Sequence, residues 1–363
     1  MKNFSLFVIC SFFCVFNLFS KKMDIGCPHS KFHEAGCIEQ NQPLHFEKTQ
    51  IILNEFAGAY NPSIVTRKGG GYTLFFRHDV PCNHHFKNTR LVYLTYLGYV
   101  DLNDKLEFVS EPKLLPMLSP YCEDPRVVLF QGYYVLFFNE IFKEDPSERK
   151  MKIAIIDPDT KKILKIQTFP NQTRKTEKNW TPFVVKENDK ERLFYIYEFS
   201  DLSVYEVILD DLNLATKNIS KKNLDNPQII KWIQKYGPLR GGAPLVEIDG
   251  KLWSFFHSYF HETVFERGKY RKKYYYHMGL LTLDREASRV EKILPFPLIY
   301  DGAYRTFRHR TLDKWVVYPS GALYNPIDQK ILLAVGENDG AIFILKIDKN
   351  QLEAKMDLLV VQD

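Results

Sequence analysis

The sequence predicts an all-β fold, a five-bladed β-propeller, from three observations. Short β-type runs divided by turn signals dominate the chain from Ile51 onward. Amphipathic helical stretches are scarce, with Asn226 to Tyr236 the one short candidate. A polar motif also recurs ahead of each group of strands, at intervals of roughly 55 to 80 residues. Each interval holds one four-stranded blade of at least ~40 residues and its insertions.

The organisation expected along the chain is a leader over 1–20, an extension over 21–50 and the propeller over 51–363. Lys2 precedes an apolar run from Phe4 to Phe19, closed by Ser20-Lys21-Lys22. At about 16 residues the run is short for a spanning helix and suits an export signal, with an N-terminal anchor as the alternative. The mature chain is then expected to be secreted or extracytoplasmic, with no stable membrane insertion once the leader is removed. Four cysteines lie beyond the leader: Cys27, Cys37, Cys82 and Cys122. They allow two disulfides in three pairings, of which Cys27 with Cys37 closes the easiest loop. Cys122 has no neighbour in sequence that would lower its pKa and is read as a packed small residue.

Residues 21 to about 47 show no clear period and read as a strap. The expected strands then follow: Tyr72–Phe76, Leu91–Leu94, Val127–Phe130, Tyr133–Phe138, Ile153–Ile156, Leu193–Tyr197, Val204–Leu209, Leu252–Phe256, Met278–Leu283, Trp315–Tyr318, Ile331–Val335 and Ile342–Ile347. Aromatic residues reach 15%, which suits sheet packing and equally sugar-binding surfaces. A net charge of +5 without a basic helix or long basic run argues against a nucleic-acid partner. Glu266 to Tyr276, rich in Lys, Arg and Tyr, reads as a basic loop near the site. No metal cluster stands out, and Gly69-Gly70-Gly71 is a hairpin turn because no G-K-[ST] follows it.

The recurring motifs are Tyr60-Asn61-Pro62-Ser63-Ile64, Glu123-Asp124-Pro125-Arg126, Glu177-Lys178-Asn179-Trp180, Arg240-Gly241-Gly242 and Val317-Tyr318-Pro319-Ser320-Gly321. Each opens the first strand of its unit, so their polar side chains are expected to converge. Glu123 and Asp124 alternate sides on an extended backbone, so one of them faces a given cavity. Pro125 is expected to hold Asp124 extended. An inverting glycoside reaction needs an acid on the leaving group. If water attacks, it also needs a second carboxylate ~6.5–9.5 Å away; if phosphate attacks, it does not. Asp124 and Glu177 are the candidate catalytic pair, with Asp79, Glu337 and Asp339 as further carboxylates. Arg77, Arg126, Lys178 and Arg240 are candidate anion or sugar ligands, or else ion pairs of the wall. His257 binds an anion if protonated, or serves as a structural hydrogen-bonding residue. Asn61 and Asn179 can bind sugar hydroxyls or cap turns. Trp180 offers a stacking face for a sugar, or packs in the core.

Taken together with Phe256-His257-Ser258 and Gly336-Glu337-Asn338-Asp339, these motifs resemble glycoside hydrolase family 130 and its mannosyltransferase-like relatives, from about Tyr60 to Ile347. The resemblance implies a carbohydrate-active enzyme acting on β-mannosides or related glycans by inversion. It implies no cofactor, with inorganic phosphate as a candidate co-substrate. By resemblance Asp124 is the general acid, acting through a substrate hydroxyl, His257 is the family's histidine after the fourth-unit strand, and Asp339 binds sugar hydroxyls. Glu177-Lys178-Asn179-Trp180 stands where phosphorylases carry a Lys-Asp motif, and His257-Ser258 where they carry His-Gly. A degrading phosphorylase or hydrolase is the favoured expectation. A transferase using an activated sugar and a non-catalytic glycan-binding protein are the alternatives.

Overall fold

A computed structural model of the chain describes residues 44–85, 90–116, 118–142, 145–221, 226–266, 268–306 and 313–357. The leader, Cys27 and Cys37 lie outside the described residues. Strand β1 (Phe46–Ile51) opens the described chain. It is followed by β2 (Tyr60–Thr66), β3 (Tyr72–His85), β4 (Arg90–Leu102) and β5 (Lys113–Leu114), which form one antiparallel sheet. A second sheet holds β6 (Cys122–Phe130), β7 (Tyr133–Ile141), β8 (Arg149–Ile156) and β9 (Ile163–Thr168). A third holds β10 (Thr181–Glu187), β11 (Lys190–Glu198), β12 (Ser203–Asp210) and β13 (Asn213–Asn218). Helix α1 (Pro227–Tyr236) leads to the fourth: β14 (Val246–Ile248), β15 (Lys251–Glu266), β16 (Lys269–Asp284) and β17 (Val290–Ile293), with β18 (Lys314–Trp315) paired to β16. The last sheet joins β19 (Val317–Asn325), β20 (Lys330–Glu337) and β21 (Ala341–Asp348) to β1. Helix α2 (Lys349–Asp357) follows.

The all-β expectation holds, but the closed five-bladed β-propeller is corrected. Among the described residues the strands form separate sheets, antiparallel except where β18 pairs with β16, and no sheet is closed or curled into a barrel or propeller. Regular strand pairing stops at each sheet's edge, with isolated bridges such as Thr95–Tyr121 and Arg149–Thr176 beyond it. Elsewhere the sheets meet through side chains, with β2 packed on β6 and β19, and β6 on β10. The extension also ends earlier than residue 50, because Phe46 to Ile51 pair with β21 residues Ile347 to Ile342. The basic stretch after Glu266 is strand β16 rather than a loop, paired along its length with β15.

The expected helix forms for local reasons. Asn226 caps α1 by accepting from the Gln228 amide at 2.9 Å, Pro227 supplies a helix-ready φ, and Gly237 ends it at φ 86°. Its buried face, Ile229, Trp232 and Tyr236, joins Phe256 and Leu281 in the core.

Trp180, a candidate sugar platform, belongs to the core between the second and third sheets. Its indole is 1% exposed and stacks on Tyr195 at 4.7 Å with an interplanar angle of 2°, with Phe169 at 5.0 Å. A ring enclosed on its faces has none left for a ligand. Trp180→Ala is expected to cost about 3–5 kcal/mol of stability, read from denaturant melts. Trp180→Phe is expected to recover much of that loss and to bind manno-oligosaccharides as the wild type does. Sugar binding lost in a well-folded Trp180→Phe protein would return the indole to the site.

Candidate active site

Three of the polar motifs hold β-bulges: pairing of β19 with β20 skips Ser320, and two more bulges shape the site. Pairing of β2 with β3 skips from Tyr60 to Ser63, and pairing of β6 with β7 skips from Glu123 to Arg126. The skipped residues include Asn61 at φ 45° and Asp124 at φ 54°. Asn179, just before β10, has φ 65°. Asn and Asp tolerate this left-handed conformation better than other side-chain-bearing residues, and such outliers gather at functional sites. Asp124 is therefore not extended, as the following proline had suggested. The bulge also overrides simple alternation, so Glu123 and Asp124 reach the same guanidinium.

That guanidinium is Arg77, buried on β3. Its Nε meets Asp79 Oδ1 at 3.0 Å, its Nη2 meets Glu123 Oε1 at 2.5 Å and its Nη1 meets Asp124 Oδ1 at 2.9 Å. Burial lowers its pKa, but the charges of Glu123, Tyr60, Asp124 and Asp339 outweigh burial and raise it. Asp79 also accepts from Tyr60 at 2.7 Å and Thr95 at 2.7 Å, so it serves to hold Arg77 rather than a ligand. Asn61 donates to Asp124 Oδ1 at 2.8 Å. It sits against Gly336, where a Cβ would lie 2.4 Å from the Asn61 Oδ1. Among the described residues, the side-chain bonds to the Asp124 carboxylate end on Oδ1, and Oδ2 is left for a ligand. Burial raises the Asp124 pKa, but Arg77, Arg126 and the hydrogen bonds from Asn61 and Arg77 override it, to about 2. The carboxylate is ionised at neutral pH.

Arg126 is fully buried, and its hydrogen bonds run to neutral oxygens. Nε donates to the Gly242 carbonyl at 2.7 Å and Nη1 to the Asp124 carbonyl at 3.2 Å. Nη2 donates to the Gly241 carbonyl at 3.3 Å, to Asn179 Oδ1 at 3.4 Å and to the Tyr318 hydroxyl. Tyr318 donates in turn to Asn179 Oδ1 at 3.1 Å. The two glycines matter sterically: a Cβ on Gly241 would lie 1.8 Å from the Asn179 carbonyl oxygen. The Gly241 carbonyl also meets His257 Nδ1 at 2.9 Å. A carbonyl accepts, so Nδ1 carries the proton and Nε2 presents a lone pair. Burial, then the charges of Arg126, Arg240 and Lys178, hold the His257 pKa well below its usual value. The imidazole is neutral, which favours the hydrogen-bonding reading of His257 over the protonated anion ligand; its Nε2 suits a sugar hydroxyl.

Lys178 and Arg240 face the same region. Crowding by neighbouring atoms, then Arg149, lowers the Lys178 pKa, while Asp124 and Glu123 raise it. Among the described residues neither Lys178 nor Arg240 has a carboxylate within salt-bridge reach. Arg240 lies 4.9 Å over the Tyr259 ring. Both line a cleft of about 370 Å³ with Arg174, Asn179, Tyr197 and Phe199. Asp339, at φ 54°, is half-buried and close enough to act on Arg77 and Tyr276. Its neighbours in the motif are committed elsewhere. Glu337 binds Tyr300 and the Thr306 amide, and Asn338 binds the Thr306 carbonyl at 3.0 Å and the Val316 amide at 3.0 Å.

Glu177 is not part of this cluster's free chemistry. It is 1% exposed, and its Oε1 accepts from the Thr173 and Arg174 amides and from Tyr197. A carboxylate tied to backbone donors is a loop clasp, so its assignment as a catalytic partner is corrected. Cys122 is buried, forms no disulfide among the described residues, and burial pushes its thiol up to about 12. Among the described residues no group of three or more His, Cys, Asp or Glu could hold a metal. No described helix is long and apolar enough to cross a membrane. The reading of the sequence gave no site role to Glu123, Arg149, Tyr276 or Tyr318. Arg149 pairs with Glu123 Oε2 at 2.9 Å. The signal for Glu123 and Tyr318 was present, since both lie inside recurring motifs; Arg149 and Tyr276 carry none.

A family model described as Beta-mannosyltransferases matches residues 123–269, the stretch holding Asp124, Arg126, Lys178, Arg240 and His257. Beta-mannosyltransferase 5 of Candida albicans is 36% identical over 149 residues, 38% of this chain and 23% of that protein. The matches span between 18% and 23% of the curated relatives' lengths. MPT-4, a mannose phosphorylase from Leishmania mexicana solved with a phosphate ion, superposes with a TM-score of 0.56 at 16% identity, over 90% of this chain and 95% of that one. MPT-1, a GDP-Man-dependent mannosyltransferase from the same organism, superposes at 0.54 and 15% identity, over 88% and 94%. At these identities the likeness is one of fold. The sequence match, over residues 123–269, is a similarity to beta-mannosyltransferases, and the chain shares its fold with a mannose phosphorylase and a mannosyltransferase.

Proposed function

We propose that the protein is an inverting mannosyltransferase that moves a mannosyl group from a phosphate-activated donor to a hydroxyl of a mannoside acceptor. The observation that carries this reading is the state of Asp124: a carboxylate held ionised by Arg77 and Arg126, with a free oxygen, within electrostatic reach of Lys178. A carboxylate in that state takes a proton more readily than it gives one. Asp124 removes the proton from the acceptor hydroxyl as that oxygen attacks the anomeric carbon. The bond from that carbon to the donor phosphate breaks, and its electron pair leaves on the phosphate oxygen. The attack comes opposite the leaving group, so configuration inverts. A base this weak suits late proton transfer, when bonding to an oxocarbenium-like carbon has made the hydroxyl acidic.

Lys178 and Arg240 are the cations placed to meet the leaving phosphate. Asp339 and neutral His257 are the acceptors placed for sugar hydroxyls. Hydrolysis by inversion needs a second carboxylate to activate water, and Glu177 is tied to the backbone. Phosphorolysis is the same reaction reversed. It is supported by the fold shared with a mannose phosphorylase, and it requires a protonated Asp124, which the flanking arginines oppose. The apolar leader supports a location outside the cytoplasm.

Purified protein incubated with GDP-mannose or mannose-1-phosphate and a mannoside acceptor is expected to extend the acceptor and release GDP or phosphate. Mannose released from manno-oligosaccharides without a donor would overturn the reading. So would mannose-1-phosphate formed from them with phosphate as the faster direction.

Asp124→Asn is expected to lower transfer by at least ~100-fold while donor binding, followed by calorimetry, is largely kept. Near-normal turnover would remove Asp124 from the chemistry. Lys178→Gln and Arg240→Gln are expected to act mainly on donor affinity.

Stability should respond to His257 with a defined sign. Its folded pKa lies below the ordinary ~6.5, so the unfolded chain binds the proton more readily, and stability falls as pH drops below about 6.5. Thermal melts of His257→Asn, which keeps a donor for Gly241, are expected to decline less between pH 7 and pH 5 than those of the wild type. Equal declines would place the proton elsewhere.

A further inference from the structure

The β15–β16 hairpin continues well beyond the site. Its register pairs Tyr259 with Tyr276, His261 with Tyr274, Thr263 with Lys272 and Phe265 with Tyr270. Directly paired residues and their i±2 neighbours share a face of the hairpin, so these eight side chains form one face, in line with His257. The rings follow one another along it. His257 and Tyr276 lie 6.4 Å apart, Tyr276 and Tyr259 5.0 Å, Tyr259 and Tyr274 6.2 Å, Tyr274 and His261 5.6 Å, and Phe265 and Tyr270 5.1 Å.

The two faces of the hairpin differ in burial. On the other face Tyr275 is buried, stacked on Trp315 at 4.9 Å, with Phe260 at 5.0 Å. The aromatic face is open: Phe265 is 64% and Tyr270 79% exposed, and Tyr259, Tyr274 and Tyr276 are only half-buried. No carboxylate lies on it between Tyr276 and Tyr270; Glu262 and Glu266 belong to the other face. From Tyr276 to Tyr270 the track runs about 20 Å, the length of several sugar units.

We propose that this face is an extended subsite for the acceptor glycan, taking an unbranched run of neutral hexose units whose C–H faces lie on the outer rings of Tyr274, Phe265 and Tyr270, while Tyr259 and Tyr276, stacked on each other with Arg240 over Tyr259, offer hydroxyls. Its identity as an acceptor site rests on the proposed transferase function. Three features point to a glycan. The track is continuous with His257, its rings are flat and serially spaced, and its polar groups are tyrosine hydroxyls, His261, Thr263 and Lys272 rather than acids. Phe265 and Tyr270 lie at the hairpin tip, where a lipid surface would also meet them, so vesicle binding is one arm of the test.

Calorimetry of manno-oligosaccharides of increasing length, without donor, tests the proposal. Wild-type affinity is expected to rise with length. The double variant Phe265→Ala/Tyr270→Ala is expected to lose about fivefold for the longest chain and nothing for mannobiose, with Tyr274→Ala affecting intermediate lengths. Affinity that is independent of length overturns the proposal, as does an equal loss for short and long chains. Intact glycan affinity in the double variant with lost binding to phosphatidylserine vesicles assigns the hairpin to membranes and overturns it too. The binding arm needs no turnover, so it stands if transfer fails, and transfer to mannobiose with length-independent affinity sinks the hairpin alone.

Discussion

The Arg77 guanidinium is the contact on which the rest of the site depends. Three carboxylates, Asp79, Glu123 and Asp124, converge on it from two sheets, at 3.0, 2.5 and 2.9 Å. A buried cation with several anionic partners recovers its lost hydration only while those partners stay in place. Removing one partner from such a buried pair typically costs about 3–5 kcal/mol. The β2 and β6 bulges exist within this constraint. Without them, strict alternation would turn Glu123 or Asp124 away, and Asn61 would not reach the Asp124 carboxylate.

The same knot sets the chemistry. Asp79 is fully occupied, Glu123 is shared with Arg149, and Asp124 alone keeps an oxygen for a ligand. Arg126, Arg240 and Lys178 lack carboxylate partners among the described residues, so this part of the cleft carries uncompensated positive charge. Arg77 and then Arg126 keep Asp124 ionised, burial and then Arg126, Arg240 and Lys178 keep His257 neutral, and the unpaired cations favour an anionic ligand such as a sugar phosphate. In the proposed transfer, one electrostatic arrangement serves both the base and the leaving group.

Much of this was legible in the sequence, and the failures have physical causes. The strand repeat and the polar motif heading each repeat were readable because period-two patterns and turn residues are local. Whether sheets close on one another is not local, and the predicted propeller closure is what the strand pairing corrects. Asp124, Arg77, Lys178, Arg240, His257 and Asp339 were all singled out, and the fold brings them together. Glu177 and Trp180 misled because a motif position does not tell which way a side chain turns: one bonds to backbone amides, the other stacks on Tyr195. Glu266 to Tyr276 read as a loop because its charge obscured its alternation. Helix α2 offers little amphipathic pattern to find.

Asp124 stands ionised in the resting protein, the state that the proposed transfer needs of a base. Carbon-13 NMR of the aspartate carboxyls, with Asp124 assigned by its loss in Asp124→Asn, measures this directly. The account predicts a midpoint of about 2, so that the resonance stays unchanged across the neutral and mildly acidic range. A midpoint at or above the ordinary aspartate value of about 3.9 would contradict it and make Asp124 a proton donor.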